Sequence, residues 1–287
     1  MNLRALRLLL LCCIAWLAAA CSSAPPPRQP PSGVQRLYVL YCGELHIPDV
    51  SPWTPEAHAG EPAVFSDNCY LIRHAKGWML WDSGLTDALI DKPEGVQGAR
   101  GMRMMRSQTL LAQLEQIGVT PAQIGTVAFS HTHPDHVGNA NLFAGATLYI
   151  QKAEYAAAFG SEPAKYGFVP ATYDRLRSSR VVQLDGDFDV FGDGSVRILS
   201  TPGHTPGHQS LLVRLPQTGA VVLSGDAAHF EENFTKRRVP GFNFDKDQSL
   251  QSMDKLDRIV KAERAQLWIN HDAAQNATLL HAPKFYQ

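Results

Sequence analysis

Residues 129 to 139 read FSHTHPDHVGN, which places His131, His133, Asp135 and His136 within six consecutive positions. Imidazole nitrogen and carboxylate oxygen are the donors that zinc and similar divalent cations accept, so the cluster points first to metal chemistry. His131 and His133 are alternate residues leaving a strand and can aim at one point. Asp135 and His136 follow one turn later and emerge in another direction, so the four side chains suit two neighbouring ions better than one. Three more stretches carry donors just past a strand: STPGHTPGH at 200–208, LSGDAAH at 223–229 and INHD at 269–272. A solitary histidine is an ordinary core or surface residue, but four such stretches exceed what chance supplies.

The order His-x-His-x-Asp-His, then a histidine, an aspartate and a final histidine, resembles the metallo-β-lactamase superfamily over about residues 34 to 280. The resemblance implies that His131, His133 and His204 hold a first ion, that Asp135, His136 and His271 hold a second, and that Asp226 bridges them. His208 is left as a supporting or packing residue, and Asp82, in WDSG, as a hydrogen-bond acceptor behind a ligand histidine. The implied fold is α/β, a four-layer αβ/βα sandwich with the site at the edge of two sheets. Seven protein ligands on two ions leave coordination room for water, and even one zinc lowers the pKa of bound water to ~7. The expected cofactor is therefore two divalent metal ions with a hydroxide between them. Zinc is the leading choice, and iron, manganese and cobalt accept the same donors.

Such a hydroxide attacks an electrophilic carbonyl or phosphorus. β-Lactamases of the superfamily usually carry cysteine or serine in place of Asp226, and its nucleases favour basic surfaces. The segments YCGELHIPD, NCYLIRHAKGWMLWDSGL, SHTHPDHVGN, SGDAAHF, GFNFD and LWINHD are similar to the acyl-homoserine lactonase branch. That resemblance implies a small-molecule lactone or ester opened by water, with its acyl chain along an apolar groove lined by the methionines at 102 to 105 and by Phe242 or Phe244. Asp135, Asp226 and His229 are the expected catalytic side chains. His229 stands where this branch often has a tyrosine that contacts the substrate carbonyl, and an imidazole N–H can donate the same bond. A glyoxalase II-like thioesterase and a mononuclear iron persulfide dioxygenase keep the same ligands and stand as alternatives, as does a non-enzymatic metal-binding lipoprotein.

The elements that must carry these residues read as short strands punctuated by turns. QRLYVLYCGEL, NCYLIRH and GWMLWDSG suggest an antiparallel meander, and 85–108 a long, partly apolar loop with Met102, Met104 and Met105. Leu110, Leu111, Leu114 and Ile117 keep helical spacing up to Gly118, and Thr120-Pro121 opens a second brief helix. TVAFS is a buried strand that delivers the histidine cluster at its C-terminal end. ATLYIQ, RVVQL, SVRILST, HQSLLVRL, AVVLSGD and AQLWINHD are further strands, with helices at KAEYAAAFG and about Ser249 to Glu263. Strands with helices outside them predict two packed sheets.

Arg4 and Arg7 precede an apolar run from Leu8 to Ala20, too short to span a bilayer, which reads as a secretory signal over 1–20. It ends in WLAAAC, resembling the bacterial lipobox and making Cys21 a candidate for a lipid anchor, with cleavage at an Ala-x-Ala site as the alternative. Ser22 after it favours, by the same resemblance, a periplasm-facing position on the outer membrane. Residues 21–33 form a Pro-rich tether, leaving 34–287 as the catalytic domain. Losing the signal removes two arginines and no acids, so 24 basic side chains face 27 acidic ones, which gives nucleic acid no attraction. Cys42 and Cys69 remain, as a disulfide or as two buried thiols on neighbouring strands.

Overall fold

The computed structural model describes residues 32–287. The expected signal at 1–20, Cys21 and most of the expected tether lie outside those residues. Eight strands form one sheet: β1 (Val34–Ile47), β2 (Ala63–His74), β3 (Gly77–Trp81), β4 (Val96–Gln97), β5 (Arg103–Met105), β6 (Ile124–Ala128), β7 (Thr147–Gln151) and β8 (Arg180–Leu184), in the order β4-β5-β1-β2-β3-β6-β7-β8. Five form the other: β9 (Phe188–Asp189), β10 (Val196–Ser200), β11 (Gln209–Leu215), β12 (Gly219–Leu223) and β13 (Gln266–Trp268), in the order β13-β12-β11-β10-β9.

Three apolar clusters stack these layers. Between the sheets, Leu37, Val39, Tyr70, Ile72, Met79 and Trp81 meet Ile198, Leu211, Val213, Val221, Leu223 and Trp268. Outside the first sheet lie α1 (Leu110–Ile117) and α3 (Lys152–Phe159), whose Leu110, Leu114, Ala157 and Ala158 pack on Leu40, Leu71, Leu80, Val127 and Leu148. Outside the second lie α4 (Glu231–Lys236) and α5 (Lys246–Glu263), with Phe234, Met253 and Leu256 in one cluster with Leu199, Leu212 and Val222. The central strands alternate their side chains between a helix-facing and a sheet-facing cluster, so both faces are apolar and the sandwich has four layers.

Local chemistry sets the element ends. Thr109 caps α1 by accepting from the Ala112 N–H, and Gly118 closes it in the left-handed region at φ 78°. α5 begins three residues before the expected Ser249, because Asp245 caps it by accepting from the Gln248 N–H, a bond worth about 1 kcal/mol. The Thr120-Pro121 signal yields one 3-10 turn, Pro121–Gln123.

One expectation holds and one needs correction. β1, β2 and β3 are the expected antiparallel meander, and beyond it β3, β6, β7 and β8 run parallel. The crossovers through α1, the histidine cluster and α3 return the chain to the same end each time. Residues 85–108 are not a plain loop: β5 pairs with β1 and β4 with β5, extending the sheet edge. Met104 and Met105 sit opposite Leu45 and Glu44, and such pairing over three residues leaves no periodic signal. Cys42 and Cys69 form a disulfide with Cα atoms 5.8 Å apart. A register shift between Tyr41 and Gly43 accompanies it, and both cysteines belong to the cluster under α1.

Candidate metal centre

Five strand C-termini converge at one edge of the sandwich. β3 delivers Asp82, β6 delivers His131, His133, Asp135 and His136, β10 delivers His204, β12 delivers Asp226 and His229, and β13 delivers His271. Asp135 and His136 belong to α2 (Pro134–Val137), a single turn that starts from Pro134 and swings them away from the preceding histidines. His204 and His208 come from the turn between β10 and β11. Gly225, at φ 55°, lets Asp226 pass close to the β6 end, since a Cβ there would lie 2.6 Å from the Ser130 Cβ and 2.7 Å from the His208 ring.

The donors gather in two groups, His131 with His133 and His204, and Asp135 with His136 and His271. Asp226 stands between them. Its Oδ1 lies 3.2 Å from His136 Nε2 and 3.1 Å from His271 Nε2, and its Oδ2 3.4 Å from His204 Nε2. His133 Nδ1 is 2.8 Å from His131 Nε2 and 3.0 Å from His204 Nε2. His204, Asp226 and His229 form a further compatible trio, which sequence spacing did not single out. All are buried except His133 and Asp135, which are half-buried and face the cavity.

What lies behind each ring decides what its front atom presents. His136 Nδ1 points at Asp82 Oδ2, 3.1 Å away, and Asp82 is itself fixed by accepting from the Ser130 N–H. His271 Nδ1 donates to the Ser66 carbonyl, His133 Nε2 to the Tyr166 carbonyl and His204 Nδ1 to Asn243 Oδ1. With that proton at the back, a neutral imidazole carries a bare lone pair at the front. With neutral rings, the front atoms of His133, His136, His204 and His271 would thus meet one another and a carboxylate, acceptor against acceptor. His136 Nε2 and Asp226 Oδ1 are buried without a hydrogen-bond partner despite their proximity.

Charge tells the same story. Burial opposes ionisation of His271, yet Asp226 raises it to about 9. Against the same burial, Asp226 and Asp82 push His136 well above the usual imidazole range. Burial works the other way on His131 and His204, holding both well below that range. The field of Asp226 thus favours positive charge at His136 and His271, while burial keeps the rings of the first trio neutral. A divalent cation at each group satisfies every bare donor, so the residues fit a pair of metal ions.

His208 is not turned inward. Its Nε2 accepts from the Asp226 N–H and its Nδ1 donates to the Thr201 carbonyl, so it braces Asp226 from behind. Burial lowers its pKa to about 4, which keeps it neutral for that task. His229 is buried, stacks on His271 at 12° between planes and leaves Nδ1 without a partner.

A cavity of about 780 Å³ opens above these groups, floored by His133, Asp135, His204, Asp226, His229 and His271. Its apolar wall includes Trp53, Phe65, Met102, Met104, Phe242 and Phe244. Trp53 and Phe65 meet edge to face at 5.4 Å, as do Trp53 and Phe242 at 5.6 Å. Met105 is not among the lining residues. Sequence reading missed Trp53 and Phe65, because aromatic residues in a loop and a buried strand look like ordinary core.

The Metallo-beta-lactamase superfamily model matches residues 63–262. The N-acyl homoserine lactonase AttM of Azorhizobium caulinodans is 32% identical over 225 residues, 76% of this chain and 86% of that protein. An N-acyl homoserine lactonase from a Bacillus species is 31% identical over 249 residues, 84% of this chain and 95% of its own. A solved N-acyl homoserine lactone hydrolase, with the product N-hexanoyl-L-homoserine bound at its catalytic metal centre, superposes with a TM-score of 0.77 at 28% identity, covering 88% of this chain and 99% of that one. With its donor-bearing loops at one edge of a four-layer sandwich and a family match across most of its length, the chain belongs to the metallo-beta-lactamase superfamily.

Proposed function

We propose that this protein is a dinuclear metal-dependent hydrolase that opens N-acyl homoserine lactones. His131, His133 and His204 would hold one ion and Asp135, His136 and His271 the other, with Asp226 standing between the two groups. When bound, two divalent cations, zinc first among them, polarise the lactone carbonyl and make water acidic enough to serve as nucleophile at neutral pH. The carrying observation is the set of bare acceptors turned toward one another at the base of an apolar cavity. The activity of the AttM and Bacillus relatives supports the choice of substrate.

The chain's own side chains do the rest. Trp53, Phe65, Met102, Met104, Phe242 and Phe244 take the acyl chain out of water at roughly 0.8 kcal/mol per buried CH₂. His229, neutral because burial lowers its pKa, lines the cavity floor with Nε2 3.3 Å from Asp226 Oδ2, beside the point where a substrate carbonyl would sit. Asp82 and the Ser66 carbonyl hold the second trio's rings in the tautomer that faces inward. The test is hydrolysis of an acyl-homoserine lactone series beside thioesters and a β-lactam, with elemental analysis of the same preparation. Activity on lactones with two ions per chain is the expected result. A thioester preferred by orders of magnitude, or one iron per chain with oxygen uptake on a thiol persulfide, would transfer the assignment to the corresponding alternative.

The protein is exported and anchored by a lipid on Cys21. Two observations support this reading: the basic-then-apolar segment ending in WLAAAC, and a Cys42–Cys69 bond of the kind that persists in oxidising compartments. Cys21→Ala is expected to abolish labelling by a fatty-acid analogue; labelling that survives rules the anchor out.

A further inference from the structure

Glu154 lies on the first turn of α3, away from the cavity, and is 1% exposed. Its Oε1 accepts from the Thr132 N–H at 2.9 Å. Its Oε2 accepts from the Thr205 hydroxyl at 2.8 Å and from the Gly207 N–H at 2.9 Å. Thr132 sits between His131 and His133. Thr205 follows His204, and Gly207 precedes His208. One buried carboxylate therefore ties together two loops that leave different sheets, both of which carry donors of the first trio. α3 comes so close that a Cβ on Gly207 would lie 2.3 Å from the Glu154 nitrogen. The second trio has other supports: Asp82 and the Ser66 carbonyl face the rings of His136 and His271, and buried Asp67 accepts from the Leu85 N–H and the Asn270 amide beside His271.

A buried carboxylate costs several kcal/mol unless hydrogen bonds satisfy it, so the three donors are held where the carboxylate needs them. We infer that Glu154 is a positioning residue for the first ion alone, fixing the distance between the His131–His133 loop and the His204 loop. The inference rests on the ligand assignment proposed above and sharpens it, because it makes the two ions separately adjustable. Glu154→Gln keeps one acceptor but turns an NH₂ group toward a donor, on whichever side it falls. Outer partners of metal ligands are worth about 10–100-fold in affinity, and this loss should fall on one ion only.

The experiment measures zinc affinity by chelator competition in the full chain, in two backgrounds that each retain one trio. With His271→Ala, Glu154→Gln is expected to weaken the remaining ion about 10–100-fold. With His204→Ala, it is expected to leave the remaining ion's affinity unchanged. Equal losses in both backgrounds would reduce Glu154 to general structural support, and no loss in either would end the proposal. Thr205→Val removes one of the three bonds with little change of volume and should give a smaller loss confined to the His271→Ala background. It decides the matter if Glu154→Gln does not fold. A wild-type chain that binds two ions while Glu154→Gln binds both as tightly refutes only this inference; a wild-type chain that binds none refutes the metal assignment as well.

Discussion

Two buried histidines at opposite ends of the sandwich look alike in sequence and differ in consequence. His74, at the end of β2 where the chain enters the fold, is 1% exposed, with Nε2 at 3.0 Å from Asp193 Oδ2 and Nδ1 accepting from the Lys76 N–H at 3.0 Å. Phe191 stacks on it at 3.9 Å, and Asp193 also accepts from the Gly33 N–H. Every polar atom of that ring is used. His136 is as deeply buried and equally backed by an aspartate, but its Nε2 faces Asp226 Oδ1 without a hydrogen bond. Burial and a carboxylate partner therefore do not mark a site. An inward acceptor that the protein leaves unsatisfied does, because such an atom costs about 1–3 kcal/mol unless something arrives to use it.

Substitutions can break this contrast, beginning with the carboxylate that both trios share. Asp226→Ala should lower lactone turnover by on the order of 10³-fold, the several kcal/mol that metal-assisted charge stabilisation supplies. Turnover and bound metal measured together check it, and a variant keeping both would show that the acceptors are not a metal centre. Asp82→Asn should weaken metal binding about 10–100-fold, because an amide that donates to His136 Nδ1 favours the wrong tautomer. Full affinity in that variant would mean the ring's back side is irrelevant. His229→Phe should lower kcat roughly tenfold, the worth of one hydrogen bond to a reacting group, while metal content stays the same. Unchanged kcat on the best lactone would return His229 to a packing role. At the satisfied end, His74→Phe should cost about 1 kcal/mol in chemical denaturation and leave metal and kcat untouched. Lost metal there would erase the distinction between the two ends.

Much of the centre was legible because its donors come in short runs just past strands. His131, His133, Asp135 and His136 are near neighbours in sequence, and strand geometry alone aims alternate side chains together. The helix over 110–117 was equally plain, since its cap, its apolar spacing and its glycine stop are all local. The β4–β5 extension was hidden because it depends on β1, some sixty residues earlier in the chain for roughly three paired residues. Glu154 was hidden for the same reason: within KAEYAAAF it is an ordinary first-turn acid, and its partners Thr132, Thr205 and Gly207 lie far along the chain.

By itself the sequence determined the donor types, their order and the strands that end in them, because these follow from side-chain chemistry and from patterns a few residues long. Only the tertiary structure decided that Asp226 turns one oxygen to each trio, that Cys42 and Cys69 bond, and that Trp53 and Phe65 wall a cavity. Those outcomes depend on where distant strand ends come to rest against one another. Packing between sheets fixes such distances to fractions of an ångström, and no local pattern of residues encodes them.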